Sequence, residues 1–297
     1  MKNVLLLAVL VCDGVLLSVV QNSLVKKYIH NQSDNFLYIA AVYLTGSLVI
    51  FAAGGRFQCS DYTRILGVIT GVLIIAETLF STNALRYGPM SLTNLLSMSS
   101  MVIPMLPAGI LWNEWMTPLQ ITAAVLMLLS MALIMNLFRK KDRAEDRSTK
   151  VDPRWVVFAL LCFLTGGLMG FPQKYQTMSV WSGEIMSYLL YAFLTAVLLS
   201  VPCFLFTYKG KKEPVTLRMS GKLTAGILGC GVMMALLHIL TMKALDAIDL
   251  SVVFPVCNGG RLIIVMLVDV FLFRQKLSKQ QVLGIVVGIA AILMLSI

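Results

Sequence analysis

Four ionisable side chains stand inside otherwise apolar stretches of this chain: Asp13, Glu77, His238 and Arg261. Arg261 offers a planar fork of donors that fits a carboxylate or phosphate in two-point contact. Asn258 lies three residues earlier and so shares its face of a helix. Together they would hold the acidic end of a small molecule; the alternative is a structural pair in which Arg261 neutralises Glu77 or Asp269. Glu77 is the candidate for proton coupling, because the protonation of a carboxyl in such a stretch depends on whether water reaches it. It would equally bind a ligand ammonium, or serve as a permanent ion pair or hydrogen-bonded packing group. His238 shares a face with Gly231, Met234 or Ala235, and Met242, so it reads either as a hydrogen-bonding group in a cavity or as a satisfied core histidine. Asp13 sits on a helix whose polar face also carries Gln21.

These residues must be positioned by helices in a bilayer. The 297 residues are 58% hydrophobic and 13% charged, with a mean hydropathy of +0.85, whereas soluble domains carry about 25% charged residues. Apolar runs between charged or Gly/Pro/Asn breaks predict ten spans: 4–25, 36–53, 63–84, 91–112, 118–138, 154–173, 184–207, 221–244, 250–272 and 280–296. Each is long enough to cross the roughly 30 Å hydrocarbon core as a helix. The first run follows Lys2 but is interrupted by Asp13 and lacks a small-residue cleavage site, so a retained helix is expected. The longest polar pieces, 139–153 and 208–222, are too short for a core of their own.

The six cysteines are scattered, without a C-x-x-C pair or a Cys/His cluster, which points to no metal and no cofactor. No H-E-x-x-H, G-x-S-x-G or Walker-type glycine loop occurs, so no enzyme is expected. The net charge of +10 comes from loops, which suits topology signals beside anionic headgroups and not nucleic-acid binding. About 18 Lys and Arg fall on the side opposite the termini and about 5 on the side of the termini, which places both termini outside.

Ala84–Ser91 aligns with Ala244–Ser251, an offset of about 160 residues, and Glu114–Thr117 then meets Gln275–Ser278. Gln21 pairs with Gln173 in the same scheme. Five spans per half require the second copy to be inverted, the plan of many secondary transporters. The ten spans, the A-L-x-x-x-x-x-S joins and the E-x-x-T turn resemble EamA-type members of the drug/metabolite transporter superfamily, over essentially the whole chain. Gln275 departs from that turn's acidic residue. The resemblance implies an all-α integral membrane protein of ten transmembrane helices in two inverted five-helix repeats (1–138 and 154–297, joined by the basic loop 139–153). It further implies a central cavity lined by spans 1, 3, 4, 6, 8 and 9, and cytoplasmic termini, against the loop charges.

Under the repeat, Met98 and Met101 fall opposite Asn258 and Arg261, giving an apolar half and a charged half. The candidate substrate-binding set is Arg261, Asn258, Glu77, His238, Asn94, Gln21, Gln173, Met98 and Asp13. Lys174 and Tyr175, just beyond span 6, are expected to snorkel to the interface, and Tyr188 and Tyr191 to pack or to face lipid. Gly67/Gly71, Gly166/Gly170 and Gly284/Gly288 read as helix-contact pairs.

The function so implied is secondary active transport of a small polar metabolite, most concretely amino-acid export by alternating access in the cell membrane. Alternatives are multidrug or polar-lipid transport on the same fold and a non-transport sensor or structural subunit. Expected partners are a small-molecule substrate, membrane lipids and a proton as coupling ion, with a homodimer as the alternative to a monomer.

Overall fold

The computed structural model describes residues 2–29, 31–87, 93, 96–97, 99–134, 153–210, 215, 217, 220–273 and 278–295. They form helices, and no strand occurs among them. In chain order these are α1 (Lys2–Tyr28), α2 (Gln32–Ala52), α3 (Asp61–Tyr87), α4 (Val102–Met105), α5 (Ala108–Trp112), α6 (Pro118–Ile134), α7 (Pro153–Leu168), α8 (Gly170–Met178), α9 (Ile185–Leu205), α10 (Gly221–Ala247), α11 (Leu250–Phe273) and α12 (Lys279–Leu295). Among the described residues, six stretches are long and apolar enough to cross a membrane: Asn3–Val25, Gln32–Ala52, Asp61–Ala84, Pro153–Met178, Ser182–Lys209 and Gly221–Ala247. The protein is an all-α, multi-pass membrane protein.

Helix ends are fixed by side chains that meet orphan backbone donors. Asn31 caps α2 by accepting from the Asp34 N–H at 2.8 Å. At the start of α6, Thr117 and Gln120 bond each other's backbone reciprocally, at 2.9 and 3.2 Å. Ser278 and Gln281 do the same at the start of α12, at the same two distances. These two capping boxes stand 161 residues apart, at positions that the sequence alignment pairs.

The chain divides into two compact units, each drawing on both sequence halves: Met1–Ile75 with Met169–Ala247, and Ala76–Leu168 with Ile248–Ile297. In the first, α2 packs against α9 and α10, and α10 also packs against α1 and α8. Tyr38, Tyr188 and Phe193 are fully buried there, and the Tyr188 hydroxyl meets Thr70 Oγ1 at 2.6 Å. Gly71 lets the backbones close up, since a methyl on it would lie 2.5 Å from the Ala192 carbonyl. At the Ser60 end of α3, the Glu184 carboxylate accepts from both the backbone N–H and the hydroxyl of Ser60. Gln176 reaches from α8 to Thr63 and to the Trp181 carbonyl.

In the second unit, α6 packs against α12 and α11. The Ser130 hydroxyl donates to the Gly284 carbonyl at 2.7 Å, and Gly288 faces Ser130 and Ile263. Gly67/Gly71 and Gly284/Gly288 are therefore contact residues, as their spacing predicts. Trp155 anchors α7 by donating to Thr93 at 2.9 Å.

Two sequence expectations change. Lys174 does not end a span: after a break at Met169 the helix continues through α8 to Met178. Lys174 is only 4% exposed and donates to the Leu245 carbonyl at 2.9 Å. Its amine satisfies an orphan carbonyl near the C-terminus of α10, which explains why it need not snorkel. Residues 91–112 are also not one continuous helix, because Leu106 and Pro107 interrupt them between α4 and α5. Pro107 cannot donate to the ladder, so the regular bonding stops there.

Candidate functional site

The second unit contains two of the four charged candidates, Glu77 and Arg261. Pro255 lies inside α11, so its missing N–H leaves the carbonyl one turn back without its helical donor. Cys257, Asn258 and Arg261 follow on the next turns. The Arg261 Nη2 donates to Asn258 Oδ1 at 3.4 Å, a long bond. Asn258 in turn directs its Nδ2 at the Met101 sulfur, 3.9 Å away. Met101, which the sequence alignment pairs with Arg261, is thus in contact with that arginine's helix neighbour Asn258.

Glu77 projects from α3 in the same unit and accepts from the Ser97 hydroxyl at 3.5 Å. Glu77 and Arg261 form no ion pair with each other: the one ion pair among the described residues is Arg64–Asp61 at 2.8 Å. Cys257 lies one helical turn before Arg261 on α11, and Cys162 is buried on α7 of the same unit. Gly166 of α7 brings bare backbone near Ser100 and Glu77, since a Cβ there would lie 2.9 Å from Ser100 Oγ and 3.4 Å from Glu77 Oε1. Neither Ser97, Ser100 nor Gly166 was singled out as a ligand-facing residue by sequence; Gly166 was visible only as half of a packing pair.

Chemically, a guanidinium has five N–H donors, and among the described residues Arg261 commits one of them to a single long bond. A carboxylate or phosphate would fill the fork. Glu77 supplies the opposite charge in the same unit, so a zwitterion would neutralise both groups where an anion alone would leave a negative surplus. Asp269, the other counter-ion considered for Arg261, lies where side chains are outside the described set.

Asp13, Gln21, Gln173 and His238 belong to the first unit. Asp13 is half-buried on α1, and its Oδ2 has no hydrogen-bond partner among the described residues. Gln21 is half-buried on the same helix. Gln173 is 4% exposed, with Oε1 unpartnered. His238 stacks edge-on against Phe193, ring centroids 5.2 Å apart, a partner that the sequence did not indicate. Asn94 and Met98 lie outside the described residues. No group of three or more potential metal ligands occurs among the described residues.

No family model matches this chain, and no curated protein does. A solved crystal structure of another protein matches with a TM-score of 0.76 at 15% identity, over 100% of this chain and 99% of that one. At that identity the likeness shows the fold alone.

Proposed function

We propose that this protein is a secondary active transporter of a small polar metabolite, an amino acid in the most concrete version, and a member of the EamA-type group within the drug/metabolite transporters. It sits in the cell membrane as ten spans in two inverted repeats and works by alternating access. The observation that carries the reading is Arg261, a guanidinium inside a membrane helix with one long hydrogen bond among the described residues and a carboxylate, Glu77, in the same compact unit with which it forms no ion pair. Ionisable groups cost about 2.5–3.5 kcal/mol at a helix centre on insertion scales and are usually retained for a ligand or a partner. The repeat draws support from the matched capping boxes at Thr117 and Ser278.

A thermal-shift screen of the purified protein against amino acids tests the ligand. A binder at a hundred times its Kd stabilises by about 2.7 kcal/mol, so a clear rise in Tm is expected for at least one amino acid, absent in Arg261→Ala. An equal rise in Arg261→Ala would remove Arg261 from the site. Stabilisation by lipophilic cations instead, lost in Glu77→Gln, would replace the metabolite reading with multidrug transport.

A further inference from the structure

The loop between α2 and α3 and the turn between α8 and α9 meet at one end of the first unit, where four apolar stretches stop or start, at Ala52, Asp61, Met178 and Ser182. Side chains join the two connections. Glu184 accepts from the Ser60 hydroxyl at 2.7 Å, and the Arg56 N–H donates to Ser187 Oγ at 3.1 Å. The Tyr191 hydroxyl donates to the Phe57 carbonyl at 2.9 Å, and Gln176 Nε2 donates to Thr63 Oγ1 at 3.1 Å. Four ends of apolar stretches tied at one level place that level at the boundary between hydrocarbon and water.

That boundary carries open apolar and aromatic side chains. Val180 is 91% exposed, Met178 and Phe57 are 55% exposed, and Trp181, Tyr62 and Tyr175 are exposed as well. The turn spends its donors on the protein itself. The Ser179 N–H donates to the Gln176 carbonyl, that of Trp181 to Ser179 Oγ, that of Ser182 to the Ser179 carbonyl and that of Glu184 to the Trp181 carbonyl. Backbone bonded in this way enters a water-poor layer without orphaning those groups. Charge supplies no comparable attraction, because residues 53–64 and 178–191 set Arg56 and Arg64 against Asp61 and Glu184, with Arg64 paired to Asp61 at 2.8 Å. A polybasic pull toward anionic lipid is thus lacking here, whereas Trp and Tyr rings favour the headgroup level of any bilayer.

We infer that the turn from Met178 to Trp181 is a lipid anchor: Met178 and Val180 enter the acyl boundary, and Trp181, with Tyr62 and Tyr175 at the same end, sits among phospholipid headgroups whatever their charge. Anchoring of this kind needs neither Arg261 nor Glu77.

Tryptophan quenching in proteoliposomes tests it, with the Trp181 signal taken as the difference between each protein and its Trp181→Phe counterpart, so that Trp112, Trp115 and Trp155 cancel. Phospholipids carrying a nitroxide at the headgroup, just below it or near the chain end report depth, and iodide reports water. The Trp181 signal is expected to be quenched far more by the headgroup and shallow labels than by the deep label or iodide. The same profile is expected in phosphatidylcholine alone and in mixtures with phosphatidylglycerol. Val180→Asp is expected to shift the Trp181 emission to the red and to remove most of the quenching by lipid. Strongest quenching by iodide or by the deep label, lipid quenching that requires phosphatidylglycerol, or an unchanged profile in Val180→Asp overturns the anchor.

Discussion

Glu114 illustrates what a single side chain contributes away from the candidate site. Its Oε2 accepts from the Leu250 N–H at 3.0 Å, placing a negative charge at the N-terminus of α11, where the helix dipole favours it. Glu114→Ala should destabilise the protein by about 1 kcal/mol, read as a lower Tm in detergent. Glu114→Gln, which keeps an oxygen acceptor, should lose less; equal losses would mean that the charge and not the hydrogen bond matters. In the sequence this glutamate belongs to an E-x-x-T turn pattern. The cap on α11 was not legible, because its partner lies 136 residues away in the chain. For the same reason Arg261, Asn258 and Glu77 could be picked out individually as costly groups in apolar runs, while Gly166 beside Glu77 could not. A glycine declares nothing about what it leaves room for.

At the scale of elements, the starts of α6 and α12 were written in the sequence as T-P-L-Q and S-K-Q-Q. Each follows the S/T-x-x-E/Q rule, and the structure closes both reciprocally. Thr117→Ala and Ser278→Ala should each cost about 1 kcal/mol. Because the boxes share no side chain, the double variant should lose about the sum; a double loss well below the sum would show that the two helix starts unfold as one unit. Hydropathy located most helices within a few residues and failed at 91–112 and beyond residue 173. In the first case Pro107 breaks a run that stays apolar throughout. In the second, Lys174 looks like a boundary charge until its amine is seen on the Leu245 carbonyl. Apolarity reports the bilayer environment, and backbone bonding is decided residue by residue.

For the whole molecule, the repeat proposed from the sequence and the compact units are different divisions of the chain. The proposed repeat would run from first half to second, whereas each compact unit joins helices from both halves. Long-range packing of this kind leaves no local trace in sequence, since α2 finds α9 through Gly46 and Phe193, 147 positions apart by number. The proposed transport belongs to this scale. The central claim is that the protein moves a small polar metabolite and that Arg261 and Glu77 hold it. The direct measurement is uptake of radiolabelled amino acids into proteoliposomes containing wild type, Arg261→Ala or Glu77→Gln, with protein-free vesicles as blank. The account predicts saturable uptake of at least one amino acid by wild type and a loss of about tenfold or more in both variants, of the order expected when a charge-assisted contact is removed. Wild-type uptake no greater than that of the blank, or uptake unchanged in both variants, would contradict it.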